Sequence, residues 1–186
     1  MSGKEPGALK LGFTLAAFAS VACVMLAFVY TGTRDIIEKH QREELEAALR
    51  EFFPEADDFP DITGAIQSPD PAVTFEAVYE ARKDSLPIGT ALRVSRGSYG
   101  GPIKILVGVA GNAVRGVKIL EHKDTPGLGA KAASPSYTGQ FAGKGVEDPF
   151  QVKADVEAIT AATITSRAVA DAVKAAGQAA GQGGRR

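Results

Sequence analysis

The sequence predicts an α+β fold, with a single N-terminal transmembrane helix followed by one domain that has an antiparallel sheet and flanking helices. Three observations lead there. An uninterrupted apolar run lies near the start, a two-residue apolar period begins after a proline-rich stretch, and helical spacing returns toward the C-terminus. With the apolar run set aside, roughly 150 residues remain, enough for one domain. Charge is balanced, with 21 Lys and Arg against 22 Asp and Glu. That leaves no broad basic field, so nucleic acid is not an expected partner. Cys23 is the one cysteine and lies inside the apolar run, which excludes an intrachain disulfide. His40 and His122 are the only histidines, too few for a His-based metal site, and no catalytic residue or metal ligand is expected.

Residues 1–10 form a short N-terminus. Residues 11–31, LGFTLAAFASVACVMLAFVYT, carry no charge. At about 1.5 Å per residue they span roughly 30 Å, the thickness of bilayer hydrocarbon. Tyr30 sits at the far end as an interfacial aromatic. Ala17-Phe18-Ala19 resembles a signal-peptide cleavage site, but it falls mid-run with further apolar residues behind it, which favours a retained anchor. Lys4 and Lys10 precede the anchor, whereas Arg34 and Lys39 beyond it are offset by Asp35 and Glu38. The lysine and arginine asymmetry places the N-terminus in the cytoplasm and the C-terminal domain outside it.

Residues 33–53 read as a second helix. Thr33 can cap its start, and Leu45, Ala48, Leu49 and Phe52 recur at helical spacing. Glu38–Arg42, Lys39–Glu43 and Glu46–Arg50 are opposite charges at i,i+4 on an exposed face. Pro54 stops this helix, and Pro60, Pro69 and Pro71 mark a connection. From Val73, Phe75, Ala77 and Tyr79 alternate with Glu76, Val78 and Glu80 as on a partly exposed strand. Residues 103–109 are a continuous apolar run, hence a central strand. Gly111-Asn112 turns the chain, and residues 114–120 return antiparallel. Residues 151–159 are a further strand candidate through Val152, Ala154 and Val156. After Thr165 the spacing is helical, with Val169, Ala172, Val173 and Ala176 on one stripe. The tail 177–186 is too poor in large apolar groups to pack and is expected to be disordered, so the domain is expected to cover 32–176.

Two segments carry the candidate chemistry: HKDTPGLG at 122–129 and EAITAATITS at 157–166. In the first, Pro126-Gly127 suits the centre of a type II turn, and Gly129 lets backbone approach a flat ligand. In the second, Thr160, Thr163, Thr165 and Ser166 lie just before the last helix. Hydroxyls and unpaired amides at a helix start favour anions, including phosphate. Ala161 and Ala162 keep the surroundings of Thr163 small, so a bulky group can reach its hydroxyl. An ordinary Thr/Ser-rich N-cap has the same composition.

Taken with the anchor, the charged helix and the GSYGGPIKILVGV strand region, these segments resemble the FMN-binding G subunit of the Rnf electron transport complex. The resemblance extends to the C subunit of the sodium-translocating NADH:quinone reductase. In that family a D-x-x-S/T-G-A-T motif ends in a Thr that forms a phosphoester with FMN, installed by a flavin transferase. That position is Thr163. Glu157 stands where the family usually has Asp, and Ala161 where it usually has Gly, a change that suits only a backbone without positive φ. The resemblance implies that Thr125, Gly127, Leu128 and Gly129 contact the isoalloxazine, with Thr160, Ala162 and Thr165 around the phosphate. It further implies a redox subunit in a bacterial inner membrane with a periplasmic domain. Its partners are then the other Rnf subunits, which exchange electrons between ferredoxin and NAD and move ions. The alternatives are the C subunit of the quinone reductase, which is usually longer, and a non-redox anchored ligand-binding domain.

Overall fold

The computed structural model describes residues 7–124 and 129–183. The chain divides into two compact units, Met1–Glu44 and Leu45–Arg186.

The first unit is helical. Helix α1 (Ala8–Phe52) begins in it, and Leu9–Phe52 is long and apolar enough to cross a membrane, with mean hydropathy 2.2 in its most apolar window. Phe13, Leu15, Phe18, Leu26 and Phe28 are all exposed, the pattern of side chains meant for lipid. The hydroxyls of Thr14 and Ser20 each donate to the carbonyl one turn back, at 2.8 Å, and so need no water. Thr33 does not cap a second helix. Its hydroxyl donates to the Val29 carbonyl at 2.9 Å and α1 passes through it. No proline interrupts, and Gly32 by itself costs only about 1 kcal/mol. Lys39 and Glu43 pair at 3.8 Å as expected, but Glu38 takes Arg34, at 2.8 Å, instead of Arg42.

The second unit is built on a four-stranded antiparallel sheet of order β1-β2-β3-β4. The strands are β1 (Val73–Lys83), β2 (Leu86–Gly97), β3 (Pro102–Ala110) and β4 (Ala113–Glu121). The central strand and its antiparallel return stand where the sequence puts them, paired through Val107↔Val117 and Ala110↔Ala113. Strand β2 is an addition to what the periodicity predicts. It follows a two-residue turn in which Asp84 and Ser85 have φ of 51° and 65°, the backbone of a tight hairpin without glycine. In β1 a bulge between Phe75 and Ala77 shifts the register. As a result Val78, expected on the polar side, is fully buried.

Both faces of the sheet are covered. Val78, Leu92, Val94, Ile105 and Val107 pack with helix α3 (Thr163–Gly183), through the expected stripe of Val169, Ala172, Val173 and Ala176; the short helix α2 (Pro135–Thr138) lies between β4 and α3 in the chain. The opposite face, with Ala81, Ala91 and Leu106, holds Ala48, Leu49 and Phe52 from the end of α1 and Phe53 just after it.

Two expectations are corrected. Residues 151–159 form turns with one isolated bridge, Val152↔Val156, and no strand. Phe150 and Lys153 have φ of 48° and 73°, and Asp155 accepts from the amides of Gln151 (2.6 Å) and Phe150 (3.2 Å), which curls the segment on itself. Helix α3 also continues through Gly183, so the tail is not loose from Gly177. Small size is what lets it pack: Ala179 and Ala180 are buried, and positions 177 and 181 lie directly against Val146.

Candidate functional site

A cavity of about 440 Å³ opens where the β2–β3 loop, the loop after β4 and the start of α3 meet. Tyr99, Asp124, Gly129 and residues 161–165 line it. Its volume lies within the range of about 300–1,000 Å³ usual for small-molecule sites.

The N-terminal end of α3 is fixed by its own hydroxyls. Ser166 is fully buried; its Oγ donates to the Ala162 carbonyl (3.0 Å) and accepts from the Ile159 amide (2.9 Å). The Ser166 carbonyl receives the Tyr137 hydroxyl at 3.2 Å, and burial pushes that hydroxyl's pKa up to about 12. Thr165 is buried as well, and its Oγ1 donates to Asp124 Oδ2 at 2.7 Å. Thr163 differs. It is the first residue of α3 and half-buried, and its hydroxyl makes no hydrogen bond among the described residues. The first intrahelical bond runs from the Ser166 amide to the Ala162 carbonyl, so the amides of residues 163–165 lack acceptors within the helix. The cavity thus has an uncommitted hydroxyl beside a helix N-terminus, a combination suited to a phosphoryl group. No lysine or arginine lines it among the described residues.

Ala161 has φ of 63°, so this position does require the left-handed conformation that glycine adopts without cost. Relief of that strain, about 1–2 kcal/mol, is partly offset by the greater freedom of glycine when unfolded. Ala161→Gly is therefore expected to stabilise the domain by about 0.5–1 kcal/mol. Chemical denaturation of detergent-solubilised protein followed by tyrosine fluorescence would show it, and a loss of stability would mean that the turn is unstrained.

The structure brings together Gly129, Ala162, Thr163 and Thr165 in the cavity wall, with Tyr99 at its exposed rim. Thr160 is exposed and is not among the lining residues, and Glu157 is exposed with its amide donating to Gln140 Oε1 at 2.7 Å. Thr125, Gly127 and Leu128 lie outside the described residues.

Sequence reasoning misses Asp124 as a site residue, although it stands inside the HKDTPGLG segment. It is 6% exposed, and its carboxylate accepts from Ser98 Oγ (2.7 Å), the Gly100 amide (2.6 Å) and Thr165 Oγ1 (2.7 Å). Burial acts to raise its pKa, but the hydrogen bonds from Thr165, Gly100 and Ser98, with His122 nearby, outweigh it and hold the group below its ordinary value. Only a carboxylate directly before a turn motif marks this position in sequence, and its partners come from the β2–β3 loop and from α3, both far along the chain.

Residues 98–178 match the family of FMN-binding domains, and residues 1–52 match the RnfG N-terminal region. The G subunit of the ion-translocating oxidoreductase complex of Methanosarcina acetivorans is 34% identical over 175 residues, covering 90% of this chain and 91% of that protein. The Vibrio cholerae protein of the same name is 32% identical, covering 90% and 87%. Among solved structures, NqrC of Shewanella oneidensis aligns with a TM-score of 0.46 at 21% identity over 65% of each chain. With an apolar helix, a matching N-terminal region and near full-length relatives at this identity, the chain belongs to the G-subunit family of ion-translocating oxidoreductase complexes.

Proposed function

We propose that the chain is a membrane-anchored flavoprotein that carries FMN covalently on Thr163 and relays electrons within an Rnf-type ferredoxin:NAD ion-translocating complex. One observation carries the reading. Of the hydroxyls in the threonine motif, Thr163 alone combines a place in the cavity wall with freedom from hydrogen bonds among the described residues. Thr165 and Ser166 are committed to Asp124 and Ile159, and Thr160 stands away from the cavity.

The residues present fit the group. A phosphodiester carries one negative charge, which hydroxyls and the free amides at the α3 N-terminus can balance without an arginine cluster. Ala161 and Ala162 leave room beside the Thr163 hydroxyl, and Gly129 adds no side chain to the wall. Bound flavin would supply the electron-transfer chemistry, while this chain holds and positions it. Covalent attachment suits a permanent relay, because the group is not lost from an exported domain. Electrons must enter and leave through other subunits, and maturation requires a flavin transferase. Lys4 and Lys10 ahead of the anchor support a cytoplasmic N-terminus and a periplasmic domain in the inner membrane.

Co-production with a flavin transferase, followed by intact mass and in-gel fluorescence of the denatured protein, tests the reading. The wild-type chain is expected to show an FMN-sized adduct and fluorescence, and Thr163→Ala neither. The hydroxyl of half-buried Thr163 makes no hydrogen bond among the described residues, so stability should change by less than about 0.5 kcal/mol. A bare wild-type chain, with the transferase active on another substrate, would turn the reading toward a non-redox ligand-binding domain.

A further inference from the structure

Asp124 is the one buried charged residue among the described residues, and it forms part of the cavity wall. Its three hydrogen-bond donors among the described residues, two hydroxyls and an amide, are all neutral. Three other carboxylates of this unit pair with cations: Asp155 with Lys144 at 3.3 Å, Asp171 with Arg96 at 2.8 Å and Glu121 with Lys104 at 2.7 Å. No such ion pair is formed by Asp124 among the described residues. Neutral donors stabilise its ionised form without cancelling its charge, and His122 lies nearby without forming an ion pair with it, so negative charge stays in the wall, where solvent screening is weak.

Hydrogen-bond geometry by itself does not call for that charge. An asparagine could satisfy the same three groups, with its carbonyl accepting from Gly100 and its amide donating to the two hydroxyl oxygens. Holding an unpaired carboxylate in a buried position is costly, whereas a neutral isostere there would not be. What distinguishes the aspartate from such an isostere is its field in the cavity.

We propose that Asp124 is a fixed negative charge that lowers the midpoint potential of the flavin in this cavity, an inference that rests on the FMN reading above. Electrons added to a group in the cavity meet a like charge that no ion pair among the described residues offsets, so the reduced form is disfavoured. Thr165 couples the two features of the site, since it lies two residues from the Thr163 attachment point and also donates to Asp124.

The test uses full-length protein in detergent, co-produced with a flavin transferase. Flavin loading is read by in-gel fluorescence, the potential by spectroelectrochemistry, and folding by the melting of unloaded Thr163→Ala chains with and without the Asp124 change. Asp124→Asn is expected to load and to raise the potential by at least a tenfold change in the reduction equilibrium, about 30 mV for a two-electron couple. Asp124→Ser, smaller and also neutral, should shift it the same way. A loaded neutral variant with unchanged potential would overturn the role of Asp124 and leave the FMN reading intact. Unfolding of both neutral variants would show that the carboxylate holds the fold, and that too would overturn it. A wild-type chain without flavin would remove the FMN reading and this inference with it.

Discussion

Phe53→Ala is expected to destabilise the domain by about 3–5 kcal/mol, the cost typical of deleting a fully buried aromatic ring. Phe53 is wholly excluded from solvent and anchors the core on the sheet face opposite α3. Its ring fills the space above Gly89, where any Cβ would overlap it, while the ring of Phe52 does the same above Gly108 and Gly116. Three strand glycines thus form a trough for two adjacent aromatics. Close packing of backbone on ring leaves little that can collapse into the gap, which puts the loss toward the upper end of the range. Denaturant unfolding in detergent, followed through Tyr79, Tyr99 and Tyr137, would measure it. A loss below about 1 kcal/mol would mean that the trough is not formed in the folded protein.

Gly100→Ala is expected to damage stability and the site together. A Cβ at this position would overlap the Lys123 carbonyl and press on the Asp124 Cα, both of them backbone, so no side chain can swing aside. The β2–β3 loop would have to lift, breaking the 2.6 Å bond from the Gly100 amide to Asp124. Overpacking costs about 1–3 kcal/mol, and a lost hydrogen bond to a charged group about 1.5–3 kcal/mol, so a combined loss of about 2.5–6 kcal/mol follows. Because Tyr99 and Asp124 both line the cavity, loading of the proposed flavin, measured by in-gel fluorescence, should fall as well. Full loading together with unchanged unfolding would show that the close approach of loop to loop is not required.

The contrast between Thr163 and Asp124 shows how far local sequence reaches into this site. Thr163 is legible because its motif is contiguous, so small neighbours, several hydroxyls and a following helical stripe can all be read along one stretch. Asp124 is not, because Ser98, Gly100 and Thr165 meet it only after the sheet has formed and α3 has docked. The turn at Ala161 lies between these cases. Its residue departs from the glycine of the resembled motif, but the φ of 63° that makes the departure matter is set by the path into α3.

The apolar anchor, the antiparallel pairing of β3 with β4, the buried stripe of α3 and the threonine that the proposed function rests on are all legible along the chain. These depend on periodicity and on contiguous motifs, in which each residue is read against near neighbours. Long-range packing accounts for the rest. It gave β2 its place in the sheet, turned three strand glycines into a seat for Phe52 and Phe53, and extended α3 through the small residues that approach Val146. It also gathered three distant donors around one buried carboxylate. In each case the deciding contact joins residues far apart along the chain, and close packing settles what local propensity leaves open.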